Sequence, residues 1–95
     1  MEVTAEIIGH LKNIRYYSDK IASLAALQYN NDYARGQKAG INTGPGTTRF
    51  EALACIITAT DYQKVYCDNI ESNVKTAEEQ DKLLWGEDYK EEEET

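Results

Sequence analysis

The sequence predicts an all-α fold: an antiparallel helical hairpin with a long glycine-containing connection, which self-associates into a helical bundle or a higher oligomer. Three observations lead to this prediction. Apolar residues recur at steps of three and four in two long segments. Glycines, asparagines and the only proline, Pro45, separate those segments. The chain has 95 residues, enough for one small domain with a marginal core, for which self-association is the usual remedy.

The first predicted helix begins near Thr4, a residue type suited to the N-cap, and has Glu6 in its first turn. An acidic side chain there interacts favourably with the positive end of the helix. The apolar stripe of this helix is Ile7, Leu11, Ile14, Tyr17, Ile21 and Leu24. We expect the helix to reach Leu27 or beyond.

The predicted connection is NNDYARGQKAGINTGPG, residues 30–46. It is long for a turn between two helices, and long loops often carry function. Asp32 is the only acid between residues 30 and 50, where Arg35, Lys38 and Arg49 give a net charge of +2.

The second predicted helix begins at Thr48, which forms a capping box with Glu51. Its apolar stripe is Cys55, Ala59, Tyr62, Tyr66, Ile70, Val74 and Ala77. The run ACIITAT is rich in β-branched residues and is also compatible with a strand. The helical period continues on both sides of this run, which favours a helix that ends near Gly86.

The acidic charge is confined to the end of the chain. Residues 1–77 contain eight Lys/Arg and eight Asp/Glu, whereas residues 78–95 carry all of the net charge of −7. We therefore divide the chain into a helical hairpin domain, residues 1–86, and a disordered acidic tail, residues 87–95. A solvated tail is one interpretation, and a functional acidic contact, such as mimicry of DNA in a basic groove, is the other. Direct nucleic-acid binding is not expected.

Several classes of protein are not indicated by the sequence. No run of about 18 apolar residues suggests a membrane span, and MEVTAEII lacks the layout of a signal peptide. We therefore expect a cytoplasmic protein without a membrane partner. Cys55 and Cys67 are twelve residues apart, about 18 Å on one helix, too far for a disulfide. Their spacing is not a zinc pattern, and we expect no metal or cofactor.

Catalysis is not expected either. His10 is the only histidine, and it is best interpreted as a surface residue. No nucleophile paired with a base stands out, and Asp61 and Asp68 are interpreted as solvated positions. The chain is thus predicted not to be an enzyme.

The stretch GINTGPGTTRFEAL, residues 40–53, has two interpretations. A helix N-terminus offers free N–H groups and partial positive charge, to which Thr47 and Thr48 add hydroxyl groups. Arg49 in the first turn opposes the helix dipole unless an anion answers it. These features suit a phosphate, although the Walker A pattern is absent. The alternative is a flexible loop that ends in a helix cap.

Seven tyrosines are many for a chain of this length. Tyrosine rings stack on bases, and Lys or Arg pairs with phosphates. Equally, tyrosines serve as packing residues at subunit interfaces. The predicted ligand-binding residues are Tyr16, Tyr17, Lys20, Arg35, Lys38, Thr47, Thr48 and Arg49.

The segments IRYYSDKIASLAAL and PGTTRFEALACIITATDYQKVYCDNIESN, within residues 14–73, resemble the helical hairpin of phage-encoded cyclic-nucleotide sponges. These are the anti-CBASS sponges and the anti-Thoeris sponges that share the hairpin. The similarity comprises the entry at Pro45 to Arg49, the alanine-rich start of the second helix and the aromatic Tyr62; Thr48 and Arg49 match by position only. The resemblance implies a phage or mobile-element protein that forms oligomers and sequesters cyclic di- or trinucleotide immune signals at subunit interfaces.

Two other functions remain compatible with the sequence. One is an acidic protein-interaction inhibitor, similar to an anti-CRISPR factor, whose partner is a host defence protein. The other is a plain structural or adaptor bundle.

Overall fold

Two antiparallel helices form the molecule, as predicted. The structure, a computed structural model, describes residues 2–86 in full. The first helix, α1, covers Thr4–Ala39, and the second, α2, covers Thr48–Glu94, with helical geometry interrupted at Gly86 (φ 65°). No strand occurs in the described part, and the run ACIITAT is helical. For the predicted acidic tail, residues 87–95, the side chains and residue 95 lie outside the described part of the structure.

The start of α1 differs in detail from the prediction. Val3 occupies the N-cap position and makes no side-chain cap hydrogen bond. Thr4 was expected to cap the helix, but its Oγ1 donates instead to Glu78 Oε2 of α2 at 2.7 Å. The hydroxyl therefore joins the two helices at the open end of the hairpin, the end opposite the connection.

The connection is shorter than predicted, because α1 continues through most of the segment expected to be a loop. Only residues 40–47 link the helices. A Cβ on the buried Gly36 would lie 2.6 Å from Ile41 O and 2.3 Å from Thr43 Oγ1. Gly36 is thus a helical residue that gives space to the returning chain. Gly40, in the left-handed region at φ 70°, ends α1.

The seam between the helices is lined by small and polar side chains at intervals of seven. Buried α1 residues are Leu11, Ser18, Ala25 and Asp32, and buried α2 residues are Thr60, Cys67 and Val74. Ser18 Oγ lies 2.8 Å from Ile14 O and 2.9 Å from Gln63 Oε1. Because these side chains are short, the seam removes little apolar surface from water.

The two predicted apolar stripes are mostly exposed in the single chain. Leu11 is the only fully buried member on α1, and Val74 is the only one on α2. Leu24 and Tyr66 are 60% and 64% exposed. The stripes are not the core of the hairpin, because the helices contact each other along the adjacent small-residue seam.

One side of the seam carries ion pairs between the helices. Arg15 donates to Asp68 Oδ1 at 3.0 Å and to Glu71 Oε1 at 3.4 Å, and Lys64 pairs with Asp19. The pKa values of Arg15 and Lys64 are raised, primarily by the hydrogen bonds that they donate to Asp68 and Asp19 respectively. We call this side the ion-paired face. In the sequence, its residues come one position after a buried seam residue, as Asp19 follows Ser18, or three positions before one, as Arg15 precedes Ser18.

Between Ile7 and Asn31 on α1 and between Ile56 and Ala77 on α2, the opposite side of the seam has no charged side chain. Its residues precede the seam positions by one or follow them by three, and therefore lie on the other side of each helix. On α1 they are Ile7, His10, Ile14, Tyr17, Ile21, Leu24, Gln28 and Asn31, and on α2 Ile56, Ala59, Gln63, Tyr66, Ile70, Asn73 and Ala77. None of these fifteen is Asp, Glu, Lys or Arg, and the next position of the series on α1 is Arg35 at the end of the helix. On the ion-paired face, eight of the fourteen positions within residues 8–33 and 57–75 are charged. We call this surface the uncharged face.

Candidate ligand-binding site

The predicted ligand-binding residues fall into two groups. The first group lies at the middle of α1, where the Tyr16 and Tyr17 rings pack edge to face with centroids 5.2 Å apart. Lys20 Nζ donates to Tyr16 Oη at 3.1 Å and lies 5.3 Å from the ring centroid. Tyr16 and Tyr17 are 55% and 61% exposed. This cluster offers aromatic surface beside a cation, which suits stacking with a phosphate nearby.

The second group lies at the hairpin tip, which we define as residues 33–50. Arg35 and Lys38 belong to the last turns of α1, and Thr47, Thr48 and Arg49 surround the start of α2. The tip contains three cations and no acid. Lys20 and Arg35 are fifteen residues apart on α1, so they are separated by about 22 Å. One small ligand cannot contact both groups within a single chain.

Arg49 forms an ion pair with Asp32 of the same chain. Its Nε donates to Oδ2 of Asp32, and Gln28 Nε2 donates to Oδ1 of the same carboxylate at 2.9 Å. The Asp32 side chain is only 10% exposed, whereas that of Arg49 is 62% exposed. The Arg49 hydrogen bond lowers the pKa of Asp32, with further lowering from Gln28 and from the charge of Arg35. The ion pair thus fixes α2 to α1 at the tip.

The cap of α2 lies one residue before the predicted position. Phe50 N donates to Thr47 Oγ1 at 3.2 Å, and Glu51 N donates to Thr47 O at 3.0 Å, which makes Thr47 the N-cap. Thr48 is an exposed residue of the first turn, so the predicted capping box of Thr48 with Glu51 is wrong. Thr47 is a predicted ligand-binding residue, but its hydroxyl also donates to Gly44 O at 2.8 Å.

Polar groups of the connection bond one another. Thr43 Oγ1 donates to Asp32 O at 2.8 Å, and Gly44 N donates to Asn42 Oδ1 at 3.1 Å. The buried Gly44 lies against the Tyr33 ring, which its Cβ would approach within 3.2 Å. The tip is therefore a folded loop whose hydroxyl groups are largely engaged, and the basic side chains are its main feature for an external anion.

Sequence reasoning missed two elements of the candidate site. The first is Asp32, whose place in the series Leu11, Ser18 and Ala25 at steps of seven could have indicated a buried position. The second is Tyr66, which is 64% exposed on the α2 half of the uncharged face. The cross-helix ion pairs of Arg15 with Asp68 and of Lys64 with Asp19 place Tyr66 level with Tyr17. The middle of the hairpin therefore presents tyrosines from both helices.

The cysteines and the histidine do not belong to the candidate site. Cys55 is exposed, Cys67 is buried, and both are free thiols. His10 lies on the surface with Nε2 at 3.8 Å from Glu6 Oε1. Within the described residues, no three His, Cys, Asp or Glu side chains are grouped to hold a metal ion. No helix in that part of the chain is long and apolar enough to cross a membrane.

Comparison with known proteins gives no match: neither a protein-family model, nor a curated protein, nor a solved structure is significantly similar to this chain.

Proposed function

We propose that this chain is a non-catalytic binding protein that sequesters a cyclic nucleotide between associated copies. In this proposal a phage or mobile element encodes the protein, which acts in the cytoplasm of the host cell. The observation that carries the proposal is the exposed cluster of Tyr16, Tyr17 and Lys20 at mid-hairpin. Its two rings offer stacking surfaces for bases, and its ammonium group offers a partner for phosphate.

The position of the cluster supports a ligand held between copies rather than within one chain. Tyr17 lies on the uncharged face, level with Tyr66, and neither ring is enclosed by its own hairpin. Tyr16 and Lys20 lie next to Tyr17 on the outer side of α1. A convex helical surface does not bury a nucleotide, since ligand sites are usually concave. A second copy packed on this face would complete a concave site around the nucleotide.

The tip offers a second position for phosphate. Arg35 and Lys38 lie there, while Arg49 is engaged by Asp32. We therefore rank Lys20 above Arg49 as the cation that contacts the nucleotide, and Thr47 and Thr48 as less important.

Calorimetric titration of the wild-type protein with a panel of cyclic di- and trinucleotides tests this proposal. For the nucleotide that binds, Lys20→Ala should weaken affinity by about tenfold or more, as expected for loss of a charge-assisted hydrogen bond. Lys12→Ala is the matched control, because it removes an exposed lysine from the ion-paired face of the same helix. It should change affinity by less than about twofold. Absence of binding across the panel, or equal effects of the two variants, would contradict the proposal.

An acidic inhibitor of a host defence protein is the second candidate, favoured by the concentration of negative charge in residues 78–95. Deletion of residues 87–95 separates the candidates. Nucleotide binding should survive the deletion if the sponge proposal is correct. Loss of biological inhibition with unchanged nucleotide affinity would favour the acidic inhibitor.

A further inference from the structure

We infer that the uncharged face binds a second copy of this chain, with the hairpin tip of each copy against the open end of the other. The inference goes beyond the proposed function, because it identifies the surface and the arrangement, and the face pairs whether or not a nucleotide is present. It starts from the asymmetry between the two sides of the seam.

Exposure and composition identify the surface. Tyr17, Ile21 and Leu24 are 61%, 45% and 60% exposed, and Ile56 and Ile70 are 40% and 44% exposed. They lie on one side of the hairpin without an intervening charge. Large contiguous apolar patches are rare on monomeric proteins and mark interaction sites. The ion-paired face, by contrast, has most of its charged side chains in ion pairs within the chain.

The size of the surface suits a dimer. The uncharged face extends along α1 from Ile7 to Asn31, which is about 36 Å of helix. Two helices packed side by side are about 20 Å wide, so the face covers roughly 700 Å². A standard stable interface buries about 800 Å² on each partner.

The shape of the surface suits an identical partner. Tyr17 and Tyr66 lie at the same level, close to the middle of the face. A two-fold axis through this level therefore superposes the face of one copy on that of the other along nearly its whole length. Two hairpins stacked in this way form a four-helix bundle.

Charge complementarity selects the orientation. The tip contains the cations Arg35 and Lys38, together with Arg49, which is paired with Asp32. The open end contains Glu2 and Glu6 of the N-terminal segment, and Glu78, Glu79 and Asp81 accompanied by Lys82 on α2. Stacking with the tips at opposite ends places unlike charges together, whereas stacking with the tips together places like charges side by side.

Sedimentation equilibrium of Leu24→Lys and Leu27→Lys tests the surface. Both leucines are exposed on α1, at 60% and 55%, but Leu27 lies on the outer side of the helix, away from the uncharged face. The wild type should be a dimer, or a larger assembly built from it. Leu24→Lys should raise the dissociation constant at least about thirtyfold, and Leu27→Lys less than about threefold. Ile70→Lys on α2 should act like Leu24→Lys, with helix content checked by circular dichroism.

A monomeric wild type, or equal effects of the two leucine variants, would overturn the surface assignment. If Leu24→Lys loses its helical signal, Ile70→Lys decides the outcome. Both Leu24→Lys and Ile70→Lys could lose the helical signal while Leu27→Lys keeps it. If a higher protein concentration then restores the helical signal, the result supports the interface. If the unfolding does not depend on protein concentration, the result overturns the surface assignment. Nucleotide titration of the same samples is separate, so a dimer that binds no nucleotide contradicts the proposed function but not this inference.

Spin labels at Ala34→Cys, in a Cys55→Ser background, test the orientation. Ala34 lies on the outer side of α1 near the tip, seventeen residues beyond Tyr17, which marks the level of the two-fold axis. With the tips at opposite ends, the labels should be about 50 Å apart, at 1.5 Å per residue. With the tips together, they should be less than about 30 Å apart. The shorter distance would overturn the proposed orientation.

Discussion

At the scale of the residue, Asp32 decides how the tip can be interpreted. Its carboxylate is nearly buried and accepts hydrogen bonds from Arg49 and Gln28. A buried carboxylate is costly unless it is paired, and removing one partner costs more than the pair itself contributes. Arg49 therefore has a structural role at a position where the sequence suggested a ligand role.

The pKa of Asp32 gives a prediction on pH dependence. Because the Arg49 hydrogen bond lowers this pKa in the folded state, the unfolded chain binds more protons in the range between the two values. The free energy of unfolding therefore rises with pH in this range. The stabilisation is present above the unfolded pKa, about 3.9, and is lost as the pH falls through the folded value.

Urea unfolding as a function of pH measures this contribution. Arg49→Gln should lower stability near neutral pH and shift the acid loss to higher pH, since the carboxylate loses its strongest partner. Asp32→Asn should reduce the slope below about pH 4. An Arg49→Gln variant with wild-type stability and slope would show that the ion pair does not hold the tip.

At the scale of the element, the start of α2 gives a prediction that separates two neighbouring threonines. Thr47→Ala removes the side chain that accepts from Phe50 N, and should cost about 1 kcal/mol of stability. Thr48→Ala changes an exposed residue of the first turn and should stay within about 0.5 kcal/mol of the wild type. Thermal or urea unfolding of the two variants measures both values. The reverse order would restore Thr48 as the cap.

The helices could be predicted from the sequence, but the end of α1 could not. Asn30, Asn31 and Gly36 are residue types that favour turns, and they suggested a connection ten residues too early. In the structure, Gly36 lies in the helix because the chain of the connection packs against it. Local propensity cannot anticipate such a tertiary contact.

The register of the hairpin was also beyond sequence reasoning. The strongest apolar periodicity marks Tyr17, Ile21 and Leu24, and it did not indicate which residues the two helices bury against each other. The two helices meet instead along the weaker series of Ser18, Ala25 and Thr60. Hydrophobic periodicity identifies a face that prefers to be covered, but it does not say whether the covering element belongs to the same chain.

At the scale of the whole molecule, the small-residue seam implies that one hairpin is weakly stable by itself. Most apolar side chains of α1 and α2 remain exposed, and only four apolar residues are buried in the described part of the chain. If copies associate through the uncharged face, stability depends on protein concentration by mass action.

Thermal melting at several concentrations tests this dependence. About a hundredfold dilution should lower the Tm by about 5–10 °C, because dissociation then accompanies unfolding. The Leu24→Lys variant should melt at one temperature across the same range, since its association is already impaired. A wild-type Tm that does not change on dilution would indicate a monomer stable by itself.

The two thiols allow the kinetics of hairpin opening to be followed without labels. Cys55 is exposed, whereas Cys67 is 2% exposed at the middle of the seam. A buried thiol reacts with a disulfide reagent only after the structure around it opens. Cys55 should therefore react in a fast phase that serves as an internal reference, and Cys67 in a slow phase whose rate reports separation of α1 from α2. Raising the protein concentration should slow only the second phase if association closes the seam more firmly.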